Sequence, residues 1–104
     1  MARPETGNST RRLEQTQDRV VSPALFKVLM LNDDYTTMEF VVELLEAVFH
    51  KSPTEANRIM LSVHQRGSGL CGIYPWEIAE TKVARVHARA RAAGFPLKCS
   101  IEQA

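Results

Sequence analysis

Residues 25–31, LFKVLML, are apolar at six of seven positions and run without a break into Asn32-Asp33-Asp34. A stretch that is apolar on both faces apart from Lys27 reads as a well-covered strand, and so demands a second layer packed over it. Immediately after the acidic triplet, Thr36-Thr37-Met38-Glu39 opens a helical pattern. An acidic turn held between a strand and a helix gives its side chains a fixed position, which a solvated loop does not.

The remaining pattern supplies the second layer. Thr36 with Glu39 forms a capping box, in which the Thr36 hydroxyl accepts from the Glu39 amide. The helix that follows places Val41, Leu44, Leu45 and Val48 on one face, with Glu39, Glu43 and Glu46 turned elsewhere. Ser52-Pro53-Thr54-Glu55 is a second capping box with proline at the first helical position. Its helix buries Ala56, Ile59, Met60 and Val63 and stops at Gly67. Leu70 to Tyr74 reads as a short strand. Pro75 opens a long helix that ends at Gly94, with Ala79, Val83, Val86 and Ala90 as its core face. Phe95, Leu97, Cys99 and Ile101 alternate with polar neighbours as a last strand. The order β-α-α-β-α-β predicts a small α/β (α+β) sandwich, a three-stranded antiparallel sheet with three helices on one side.

At 104 residues the chain is long enough for one modest core. Residues 1–22 hold few apolar side chains and no aromatic one, which predicts a flexible N-terminal extension ahead of a core domain at 23–104. The net charge of +1 gives no general electrostatic case for nucleic acid or membrane as partner. No apolar run approaches bilayer-spanning length and no signal peptide opens the chain, so a cytoplasmic protein is expected; it is expected to be a monomer. The two cysteines, Cys71 and Cys99, read as small reduced hydrophobes.

Catalytic and metal chemistry find little support. His50, His64, His87, Cys71 and Cys99 fall on four different expected elements and show no CxxC or HExxH spacing. Both cysteines lie mid-strand with nothing to mark an oxyanion hole. Gly67, Gly69 and Gly72 read as a turn and form no phosphate-binding fingerprint. Lys82, Arg85, Arg89 and Arg91 make the last helix basic, and the alternative function is a small RNA- or ribosome-associated domain that uses it. No stacking motif or GXXG loop accompanies those charges, and a solvated helix face explains them better. No cofactor is expected, and the chain is not read as an enzyme.

The acidic turn and one histidine remain. Met60, Val63 and His64 fall at i, i+3 and i+4 and share one side of the second helix. Carboxylate and amide oxygens plus a neutral imidazole are all acceptors, and a cation with several N–H donors satisfies acceptors. An apolar pocket beside them suits a ligand with one ammonium end and one apolar end.

At these residues the chain resembles the ClpS family of adaptor proteins. KVLMLNDDYTTMEFV, ANRIMLSVHQRG, CGIYPWEIAETKV and PLKCSIE carry the resemblance in order, from Lys27 to the C-terminus, about three quarters of the chain. The resemblance implies an adaptor that binds proteins bearing an N-terminal Leu, Phe, Tyr or Trp. It would pass them to a ClpA- or ClpC-type AAA+ unfoldase working with ClpP. It implies that Asn32, Asp33 and His64 hold the substrate α-amino group. Leu31, Thr36, Met38, Val41, Met60, Val63 and Leu97 would wall the side-chain pocket, with Asp34 at its edge and Met30 a marginal member. Glu77, Glu80 and Lys82 match the surface implicated in docking on the unfoldase's N-terminal domain. Thr37 stands where many members carry proline, at what reads as a first helical position. The extension has no family signature, and the resemblance leaves open a principal ClpS or a divergent paralogue.

Overall fold

β1 (Leu25–Leu31) takes the centre of a three-stranded sheet, between β2 (Ser68–Pro75) and β3 (Lys98–Gln103), and pairs antiparallel with both. The structure is a computed structural model and describes residues 23–104; the expected N-terminal extension, 1–22, lies outside the described residues. Three helices, α1 (Met38–Ala47), α2 (Pro53–Arg66) and α3 (Trp76–Ala93), complete the expected order β-α-α-β-α-β. No helix among the described residues is long and apolar enough to cross a membrane.

Strand alternation sorts β1 into two faces. Val28 and Met30 are fully buried and meet Leu44, Leu45 and Val48 of the α1 segment, Val86 of α3 and Cys71 of β2 in one core. Each side chain buried in this way contributes roughly 1.5–3 kcal/mol. The other face differs from expectation. Leu25 and Leu31 are 46% and 36% exposed, and Leu70 and Ile73 on β2 are 43% and 47% exposed. An apolar strand predicts two covering layers, but three helices suffice to cover only one side of this sheet.

The helix ends explain where each element starts. Ser52 caps α2 as expected, its hydroxyl accepting from the Glu55 N–H at 3.2 Å, with Pro53 behind it. At α1 the cap is one residue later than the capping-box reading. Thr37, not Thr36, is the N-cap and accepts from the Phe40 N–H at 3.1 Å, so Thr37 is not a first helical residue. The Thr36 hydroxyl is occupied elsewhere, donating to Asp33. Gly67 and Gly94 close α2 and α3 at φ 92° and 82°, a left-handed conformation that costs glycine nothing. Pro75 precedes α3 as its N-cap residue, and the helix proper begins at Trp76.

Two further differences concern strands. Of the three glycines read as a turn, only Gly67 lies outside β2. Gly69 is buried within the strand, where a Cβ would sit 2.8 Å from Val63 Cγ2 and 2.9 Å from the Ile59 carbonyl oxygen. Its bare backbone therefore lets β2 lie directly against α2. Pairing then slips from Leu29–Leu70 to Val28–Gly72, so Cys71 is the extra residue of a bulge. β3 begins at Lys98, later than the alternation suggests, with Leu97 buried just before it and the Phe95 ring 4.9 Å from that of Phe40.

Two polar ties cross the helix layer. The Lys82 ammonium donates to the Val48 carbonyl at 2.7 Å and lies 5.8 and 5.4 Å from the Phe49 and Tyr74 ring centroids. Burial, with a contribution from Arg85, lowers its pKa. The His87 Nε2 accepts from the Cys99 N–H at 3.1 Å, joining α3 to β3. Burial first, then the positive charges of Lys98 and Arg91, hold this imidazole below the usual histidine range.

Candidate functional site

A cavity of ≈ 450 Å³ opens beneath the acidic turn, between the start of α1 and the C-terminal half of α2. That volume lies within the span of small-ligand pockets. Its base is apolar, with Val41, Met60 and Val63 each less than a tenth exposed. Its rim is polar, formed by Asn32, Asp33, Asp34, Thr36 and His64.

Local folding sets this geometry. The Asn32 N–H donates to the Gly67 carbonyl at 3.0 Å, and the Gly67 N–H donates to Val63 at 3.0 Å. The turn after β1 is thereby tied to the end of α2, the same turn of helix that carries Val63 and His64. Asp33 staples the turn from within. Its Oδ1 accepts from the Tyr35 and Thr36 N–H groups at 2.8 and 2.7 Å, and its Oδ2 from the Thr36 hydroxyl at 2.7 Å. Burial opposes ionisation of this carboxyl, but the bonds from the Thr36 hydroxyl and the two N–H groups outweigh it and hold Asp33 below the usual carboxylate range. The rim is therefore negative and pre-ordered before any ligand arrives.

The cavity brings together Asn32, Asp33, Asp34, Thr36, Met38, Val41, Met60, Val63 and His64, nine residues singled out in the sequence. It does not bring Leu31 or Leu97 to its wall. Leu31 alternates with Met30 along β1 and so falls on the open sheet face, while Leu97 is 2% exposed within the core. Met30 is likewise sealed in the core. Thr37 and Glu39, which the sequence marks only as helix-start residues, also line the cavity; their place at the helix start beside Met38 is the signal that points to it. Met38 itself is 43% exposed at the mouth.

Of the docking residues, Glu77 and Glu80 are exposed on α3, whereas Lys82 is half-buried with its ammonium turned to α1. Cys71 is a free cysteine with no exposure, and the hydrogen bond with Cys99 and burial both push its thiol up, away from the reactive thiolate.

A cavity with an apolar base and an acceptor-rich rim defines a ligand-recognition module. Residues 21–100 match the family model described as ATP-dependent Clp protease adaptor protein ClpS. The ATP-dependent Clp protease adapter protein ClpS of Nitratidesulfovibrio vulgaris (strain DSM 19637 / Miyazaki F) is 56% identical over 100 residues, covering 96% of this chain and 98% of that protein. That of Desulfatibacillum aliphaticivorans is 58% identical over 90 residues, 86% of each. Among solved structures, Agrobacterium tumefaciens ClpS2 bound to L-phenylalaninamide superposes with a TM-score of 0.77 at 41% identity, covering 80% of this chain and all of that one. The chain belongs to the ClpS family of Clp protease adaptors, and it is an adaptor rather than an enzyme.

Proposed function

We propose that this chain binds proteins whose first residue is Leu, Phe, Tyr or Trp and delivers them to a ClpAP- or ClpCP-type protease in the cytoplasm. The observation that carries this reading is the cavity, whose base of Val41, Met60 and Val63 lies directly beneath the rim of Asn32, Asp33, Asp34 and His64. A free N-terminus with a large apolar side chain has that polarity. L-phenylalaninamide, the ligand named for the A. tumefaciens structure, joins a free α-amine to a benzyl group in one small molecule.

Asn32 and His64 would accept from the ammonium at the rim. Asp33, already holding three donors, would add negative charge and keep the acceptors in place. Burying the first side chain is worth roughly 1.5–3 kcal/mol, and the charge-assisted bonds fix which end of the peptide enters. On α3, Glu77 and Glu80 would face the unfoldase's N-terminal domain, with Lys82 acting from behind by holding the helix against α1. The extension at 1–22 would serve delivery, so deleting residues 1–20 should leave peptide affinity unchanged while slowing degradation of a reporter. The RNA-domain alternative is not favoured, because the matching relatives are named as Clp protease adapters.

The test compares short peptides that begin with Leu or Phe, free and N-acetylated. Acetylation removes the charge and two donors and leaves rim acceptors without partners, so binding should fall at least about a hundredfold, roughly 2.7 kcal/mol. Equal affinity for the two forms would refute the proposal.

A further inference from the structure

A second cavity of ≈ 400 Å³ lies on the far side of Met38, between α1 and α2, lined by Met38, Glu39, Val42, Asn57 and Met60. Three of these, Met38, Glu39 and Met60, also line the cavity beneath the acidic turn. The two spaces are therefore neighbours with Met38, Glu39 and Met60 as their common wall. Val42 alternates with Val41 at the helix surface: Val41 is buried under the first cavity, while Val42 is half-buried and faces the second.

We propose that this groove is a second substrate subsite, which takes an aliphatic side chain at the third position of the bound peptide. The inference rests on the reading that the first cavity holds the first residue. In an extended chain successive side chains point to opposite sides, so the residue sharing a side with the first is the third, about 6.8 Å further along. A step of that length carries the peptide over the width of one side chain, here Met38. The second side chain points away from the domain and meets neither cavity.

The chemistry of the groove selects its occupant. Val42, Met60 and the outer side of Met38 present an apolar surface on which a Leu, Ile or Met side chain loses water. Asn57 donates one of its two amide N–H groups to the Pro53 carbonyl at 2.8 Å, which orients the side chain and leaves the amide oxygen as an acceptor for a peptide N–H passing over it. The partner chemistry is thus an extended N-terminal segment with apolar residues at positions one and three.

The experiment titrates the full-length protein with Leu-initiated peptides in which position two or position three is varied through Gly, Ala, Leu and Asn. Leu at position three should bind about three- to tenfold more tightly than Gly, the range for partly burying an aliphatic side chain, and the same exchange at position two should change affinity less than twofold. Val42→Thr, which keeps the side-chain shape and adds a hydroxyl, should remove most of the position-three preference and leave the position-three Gly peptide unaffected. A wild-type protein indifferent to position three would overturn the subsite, as would a preference that survives intact in a folded Val42→Thr protein. The acetylated control separates this from the first reading: loss of binding on acetylation with indifference at position three removes the groove alone.

Discussion

Met38 stands between the two cavities, and its truncation separates a gate from a core filler. It is the first residue of α1, lines both spaces and is 43% exposed. Truncating a fully buried Met to Ala costs about 2–5 kcal/mol, and this partly exposed, helix-terminal position should cost nearer 1 kcal/mol. For a domain of this size that is a fall in Tm of about 4–8 °C. The effect on ligand choice should be larger. If the first residue of a bound peptide enters the cavity as proposed, the thioether at its mouth would leave room for one Cβ substituent, as in Leu, Phe, Tyr or Trp, and would crowd the second branch of Ile or Val. Met38→Ala should therefore improve binding of Ile- and Val-initiated peptides by about tenfold or more, some 1.4 kcal/mol of relieved clash, and change Leu and Phe by less than threefold. Fluorescence anisotropy with labelled peptides, read beside a thermal melt, measures both quantities. A uniform loss of affinity across all first residues, with no gain for Ile or Val, would refute the gate.

Two polar ties give further outcomes. Lys82→Met keeps the aliphatic stem but leaves the Val48 carbonyl without its charged donor, and should cost about 1–2 kcal/mol in urea unfolding; an unchanged midpoint would mean the tie contributes nothing to the fold. His87 has its pKa lowered in the folded state, first by burial and then by Lys98 and Arg91. Its stabilising contribution is therefore complete above the unfolded value of about 6.5 and is lost as pH falls through the folded one. Stability should decline as the pH falls below about 6.5, and His87→Gln, which can still accept from the Cys99 N–H, should flatten that decline. An identical pH slope in the variant would remove His87 as its source.

Much of this architecture is readable from apolar spacing alone. β1 ends where the run LFKVLML ends, and α2 runs from its Ser-Pro start to Gly67 as patterned. The misplaced cap on α1 has a local cause. Thr36 and Thr37 carry the same hydroxyl, and only the fold of the turn reveals that Asp33 claims the first and leaves the second to cap the helix. The open face of the sheet was hidden for a different reason. Periodicity reports that Leu25 and Leu31 are apolar, but not whether another layer exists to cover them. In the cavity, the acidic turn and the α2 wall are legible because each lies on one short segment. Leu31 and Leu97 rest on the resemblance alone and are not among the residues that line the cavity.

Gly69 touches neither cavity, yet it determines how wide the first one can be. Any side chain there would press on Val63 and on the Ile59 carbonyl, and the helix that yields is the one carrying Met60, Val63 and His64. A random library screened for new first-residue preferences should thus return hits at position 69 as well as around the mouth. Those variants would relax discrimination among large and small first residues together, because they shift a whole wall without changing any side chain on it. Selection on ligand choice would then keep this strand position small even where pairing in the sheet could tolerate a side chain.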